Sequence, residues 1–169
     1  MKPTEITEYK DDYEDYASLV EETDVVSAMR KQLTEAENLF ASISEEKGEF
    51  AYAEGKWTIK ELLGHLINGE RVFSYRALRI SRGDETPLAG FDQDLLTDNG
   101  NFNSISLADL LKEFSHLCQA NILFFQNLDD EAWERTGTVN DTPASVRAIA
   151  YNMVNHARHH LNILRLRYL

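Results

Sequence analysis

Three of the chain's five histidines fall in the segment YNMVNHARHHLNILRLRYL, Tyr151 to Leu169. Taken as a helix, Ile149, Met153, His156, His160, Ile163 and Arg167 recur at three- and four-residue steps and form one stripe. Two imidazoles therefore stand where a helix bundle would place Leu or Ile. Imidazole is the commonest metal-ligating side chain, and an i, i+4 pair on one helix face can reach a single ion. His159 is rotated by about 60° from His156 at the helical period, which predicts a boundary position, as a substitute ligand or a neighbour of the ligands.

A third inward histidine lies far upstream. The stripe Leu62, His65, Leu66, Gly69, Phe73, Arg76 and Ala77 or Ile80 points His65 toward the core of another helix. If the two helices are neighbours, His65, His156 and His160 converge. Three neutral imidazoles with the fourth position left to water is the arrangement of an open, catalytic-type zinc site, whereas structural zinc is closed by four protein ligands. Imidazole also suits nickel, copper and iron. A zincin is excluded by the absence of the glutamate in His-Ala-Arg-His-His. A di-iron carboxylate bundle needs two Glu-x-x-His pairs, and only Glu113 with His116 has that spacing.

The elements that must position these residues are helical. Asp24 is a natural N-cap for a first long helix with Val25, Met29, Leu33, Ala36 and Phe40 on its buried face, ending near Ser42. Thr58 and Glu61 have capping-box spacing and open the second, which Gly83, Asp84 and Pro87 stop. Ser106 and Asp109 cap a third, and Thr142 with Pro143 forms the expected N-cap and N1 pair of a fourth that runs to the C-terminus. The spacing predicts an all-α, up-down four-helix bundle with long inter-helix loops and no alternating strand pattern. It forms a single domain over 1–169, with 1–22 as a polar arm or short helix packed on it. The stretch from Gly83 to Ser106 is longer than an idle loop in a compact domain tends to be.

Charge and composition narrow the partners. The chain carries 17 Lys and Arg against 29 Asp and Glu, a formal charge of −12, so nucleic acid and acidic membranes are not expected partners. The lone Cys118 rules out an intramolecular disulfide framework and fits a reducing cytoplasm. No apolar run approaches a membrane span, and the acidic N-terminus has no signal-peptide core.

The segments EGKWTIKELLGHLINGERVFSYRALRISRGDETPLAGFDQD, NFNSISLADLL and SVRAIAYNMVNHARHHLNILRLRYL resemble the DinB-like superfamily, over roughly residues 10 to 169. Its specific marks are the tryptophan followed by Gly-His-Leu and the terminal His-x-x-His-His. The resemblance implies a bundle, often a homodimer, with one divalent ion per chain, Zn2+ or Ni2+, on the histidine of Gly64-His65-Leu66 and on His156 and His160. It also implies metal activation of a small-molecule substrate, foremost transfer of a low-molecular-weight thiol to an electrophile, as in bacillithiol transferases. A hydrolase using metal-bound hydroxide is the second reading, and a non-catalytic metal-binding dimer the third.

Other candidates have a structural reading beside the functional one. Arg76, on the stripe of His65, could hold a substrate carboxylate or pair with a loop aspartate. Asp92 and Asp94, in Gly-Phe-Asp-Gln-Asp, could supply a base or an acceptor for a ligand's free N–H, or cap a turn. Trp57 is read as a lid on the bundle end or a pocket wall, Cys118 as core, His116 as solvent-facing, and Glu70 as an exposed or inter-helix charge.

Overall fold

The computed structural model describes residues 24–169; the N-terminal arm expected over 1–22 lies outside them. Four long helices dominate. The first, α1 (Val25–Ala41), starts where the Asp24 carboxylate accepts from the Val26 N–H. A single turn, α2 (Glu45–Gly48), leads into α3 (Ile59–Ser81), whose start is fixed by a reciprocal capping box between Thr58 and Glu61. Its end is set by Gly83, whose φ of 78° is the left-handed conformation that glycine adopts without a Cβ penalty. The connector then forms α4 (Gln93–Asp98) and a tight turn at Phe102–Ser104 before α5 (Leu107–Gln126), capped by Ser106. After α6 (Asp130–Glu134), strands β1 (Thr136–Val139) and β2 (Thr142–Ser145) pair as an antiparallel hairpin, and α7 (Val146–Ile163) follows.

The four-helix bundle expected from the sequence is thus present, with a hairpin that the helical periods did not announce. Thr142 and Pro143 are a correction: they lie in β2, and the cap of α7 is Ser145, whose hydroxyl accepts from the Ala148 N–H. Asn140 and Asp141 both adopt positive φ, the conformation of a two-residue hairpin turn, so the chain reverses there before a helix can begin.

Both α1 and α3 pack on α5 and α7, which puts α1 and α3 on one diagonal and α5 and α7 on the other. Directions follow from the cross-links. The N-terminal ends of α3 and α5 meet at Glu45, which takes the Lys60 ammonium at 2.5 Å and the Leu107 N–H at 2.8 Å. Farther along, Asn121 of α5 reaches Glu70 of α3, so these two helices run parallel. Parallel neighbours need a connection that travels back the full length of the first, about 34 Å for 23 residues. That is the work of the connector from 82 to 106. It touches α3 in reverse order, with Ala89 at Arg76, Phe91 at Phe73, Leu96 at Asn68, Phe102 at Gly64 and Asn103 at Glu61.

Most of the core between the helices is apolar: Phe40, Leu62, Leu63, Leu66, Leu110, Phe114, Phe125 and Leu161 are all essentially inaccessible. Each such side chain stabilises the bundle by about 1.5 to 3 kcal/mol relative to leaving it exposed. Among the described residues no helix is long and apolar enough to cross a membrane.

Candidate metal centre

His65 lies in the first third of α3 and His156 and His160 in the C-terminal half of α7. Because the two helices pack antiparallel, these positions come level. His65 Nε2 stands 2.8 Å from His156 Nε2 and 3.0 Å from His160 Nε2. Three ring nitrogens from two segments that are 91 residues apart in sequence thus converge on one point. His65 and His156 are buried, and His160 keeps some contact with solvent.

The protonation chemistry of the cluster fits a cation. Burial, reinforced by the positive charge of His159, lowers the His65 pKa to about 4. Burial first, then the neighbouring histidines, holds His156 and His160 well below the usual imidazole range. All three rings are therefore neutral near pH 7, the form that ligates. A neutral Nε2 offers either one N–H or one lone pair. His65 Nε2 faces two other Nε2 atoms and can bond only one of them, so hydrogen bonding alone leaves the trio unsatisfied. A cation accepting all three lone pairs removes that conflict. The donor set is that of an open three-histidine site, and the three ring nitrogens all lie within 4.8 Å of one another.

Aromatic rings enclose the cluster. Trp57, just before the cap of α3, lies tilted over His65 with centroids 4.7 Å apart and reaches His160 at 6.4 Å. Its carbonyl accepts from the Tyr168 hydroxyl at 2.7 Å, which ties the end of the chain to the entrance of α3. Phe73 presents its edge to His156 at 5.4 Å, and Phe91 from the connector backs Phe73. Two glycines allow this closeness. A Cβ on Gly69 would fall 2.8 Å from His156 Cε1, and one on Gly64 would fall 2.3 Å from the Phe102 ring.

Gly69 and Phe73 were visible on the stripe of His65, but periodicity alone does not distinguish a glycine that admits a ligand ring from a filler. The useful signal is a glycine one turn after an inward histidine, because a small residue on a buried face marks a close approach.

The remaining candidates are placed as follows. Arg76 is buried and donates to the Ala89 carbonyl at 3.0 Å, with its guanidinium 5.4 Å from the Phe91 ring centre. The loop aspartate Asp84 is taken by Arg79 instead. Asp92 caps α4, accepting from the Asp94 and Leu95 N–H groups, and Asp94 sits exposed in the first turn of that helix. The ring of His159 lies 4.8 Å from that of His160, outside the converging trio. His116 is exposed on α5. Cys118 is buried, its thiol pushed far up by burial and by the charges of Glu70 and Glu37, which leaves it a packing residue. Glu70 is inter-helix as expected but not exposed, being 7% accessible and bonded to Asn121 at 2.6 Å.

Four long helices carrying a buried trio of neutral imidazoles on one antiparallel pair define a metal-centre bundle. The chain belongs to the DinB superfamily, whose sequence model matches residues 28–164. Among solved structures it is similar to YfiT from Bacillus subtilis, described as a probable metal-dependent hydrolase with an unusual four-helix bundle topology. That likeness has a TM-score of 0.74 at 14% identity, over 96% of this chain and 92% of that one. It is also similar to a mycothiol-dependent maleylpyruvate isomerase, with a TM-score of 0.68 at 13% identity over 81% of this chain. There the match spans 58% of the isomerase's length. At these identities the likeness establishes the fold. No curated protein matches the sequence.

Proposed function

We propose that the chain is a metal-dependent enzyme that transfers a low-molecular-weight thiol to an electrophilic small molecule. The observation that carries this reading is the convergence of His65, His156 and His160 through their Nε2 atoms in a buried, neutral state. In it the three histidines hold one Zn2+ or Ni2+ ion per chain. When bound, such an ion supplies Lewis acidity that lowers the pKa of a coordinated thiol or water into the neutral range. Trp57 and Phe73 exclude water from two sides of the imidazoles, which strengthens electrostatic interactions there. Arg76, whose guanidinium has no carboxylate partner among the described residues, is assigned to an anionic group of the substrate. Asp92 and Asp94 are assigned to proton transfer in the same reading. A homodimer in the cytoplasm belongs to the same reading.

The thiol reading is supported by the mycothiol dependence of one structural neighbour. Hydrolysis is the second reading, supported by the description of YfiT. An assay of metal-loaded protein separates them: conjugation of a reactive electrophile against a panel of cellular thiols, run beside ester and amide hydrolysis. Thiol-dependent turnover that is absent in His65→Ala is the expected result. Turnover of the ester or amide alone would favour the hydrolase, and no turnover with metal fully bound would leave a non-catalytic metal-binding protein.

A further inference from the structure

The centre of the bundle contains a second polar cluster, separate from the three histidines. A chamber of about 10 Å³ lies where all four long helices meet, lined by Gln32 of α1, Glu70 of α3, Cys118 and Asn121 of α5 and Met153 of α7. Gln32, Glu70 and Asn121 are each more than nine-tenths buried. Three amide or carboxyl groups in a core of Leu, Ile and Phe are costly unless every hydrogen-bonding atom is matched. One match is present, the Asn121 amide donating to Glu70 Oε2 at 2.6 Å. One is missing: among the described residues no donor reaches Gln32 Oε1.

We propose that this chamber is a binding site for one water molecule, which links Glu70, as the neutral acid, to Gln32. The size selects the ligand, since about 10 to 15 Å³ accommodates the centre of a single water and little else. The donors and acceptors also match: the Glu70 carboxyl O–H donates to the water, and the water donates one hydrogen to Gln32 Oε1. Buried waters make two to four such bonds.

The surroundings favour the protonated form of the acid. Burial raises the Glu70 pKa to about 7 against a smaller opposing effect of the Asn121 bond. Among the described residues that line the chamber there is no cation: α1 contributes Gln32 and Met29, α7 Met153 and Val154, and α5 Ile122, the amide of Asn121 and the thiol of Cys118.

The test uses the full chain at pH 6. Infrared spectra should show the carbonyl stretch of a protonated carboxylic acid that disappears in Glu70→Gln. A crystal structure at a resolution that shows other internal waters should place one peak within hydrogen-bond distance of both Glu70 and Gln32. Gln32→Met, which keeps the length and removes the acceptor, should lose that peak while keeping or raising the thermal midpoint. No peak in the unaltered protein, Gln32 bonded directly to Glu70, or no protonated-acid band would overturn the proposal. So would a midpoint that rises with sodium or ammonium chloride but not choline chloride, if Glu70→Gln abolished the rise, because that would place a monovalent cation on a charged Glu70.

Discussion

Gly69 lies directly against the imidazole of His156: a Cβ there would sit 2.8 Å from Cε1 and 3.2 Å from Nδ1. The helix would otherwise gain from alanine, which is better by about 1 kcal/mol in a helix interior. Gly69→Ala therefore sets a small backbone gain against displacement of one ring. Its expected outcome is a helical circular dichroism spectrum like the parent's with metal affinity reduced about 10-fold or more, as for changes that misorient a ligand. Competition titration with a chromophoric chelator measures it, and unchanged affinity would show that the His156 ring is not a ligand.

Removing a ligand should cost more than misorienting one. His65→Ala, His156→Ala and His160→Ala are each expected to weaken binding on the order of 100-fold or more, leaving the fold in place because the surrounding core is extensive. Untagged protein should copurify with close to one equivalent of zinc or nickel by elemental analysis. Chelation should lower the thermal midpoint of the parent and leave the three variants unmoved, since a ligand that binds only the native state stabilises it by mass action.

Much of this was legible in the sequence, for identifiable reasons. His65, His156 and His160 sit on helical stripes whose periods are regular, and the caps at Asp24, Thr58 and Ser106 are side-chain hydrogen bonds that sequence spacing encodes directly. The start of α7 was misplaced because Thr142-Pro143 satisfies a helix-entry pattern equally well in the second strand of a hairpin. The parallel course of α3 and α5 was not legible either, although its trace was: a connector from 82 to 106 too long to join adjacent ends. Nor was the burial of Glu70, since helical phase says which side a residue faces and not whether that side is another core.

The acid stability of the site follows from its burial. With the His65 pKa lowered to about 4 and the other two imidazoles lowered as well, protons do not compete for these rings until the pH is well below 6.5. Metal affinity is expected to stay flat from pH 8 to about pH 5 and to fall below that. The sign for the metal-free protein is the same. Each depressed histidine contributes stability that is present above pH 6.5 and is lost as pH falls toward its lowered folded pKa, about 4 for His65. Metal content after dialysis across this range tests the first statement, and denaturant midpoints of metal-free protein test the second. Affinity that declines steeply already between pH 7 and 6 would count against a buried site.

Trp57 provides an optical report. It lies over His65, whereas Trp133, the other tryptophan, stacks on Phe125 in the core. Loading with Ni2+ or Cu2+ should quench the Trp57 component of the emission and leave that of Trp133. Trp57→Phe should lose most of the metal-dependent change and retain stoichiometric binding. Equal quenching in the parent and in Trp57→Phe would place the metal elsewhere.

Glu70 makes the opposite pH prediction from the histidines, and the contrast isolates it. Its folded pKa is raised from 4.5 to about 7 by burial, so the native state holds a proton that the unfolded chain has released. Stability from this source is complete below pH 4.5 and is lost as pH rises to about 7, where the carboxylate must either ionise in the core or remain protonated against the solvent. A shift of that size corresponds to about 3 kcal/mol as an upper bound. Glu70→Gln keeps the shape and an acceptor for Asn121 while removing the charge. The variant should therefore be more stable than the parent at pH 8 by an amount approaching that bound, with the difference closing toward pH 4.5. Urea denaturation of both proteins at the two pH values measures it. A variant that is less stable at pH 8 would mean that Glu70 is ionised and paired in the native bundle, and that its charge is part of what holds α3 to α5.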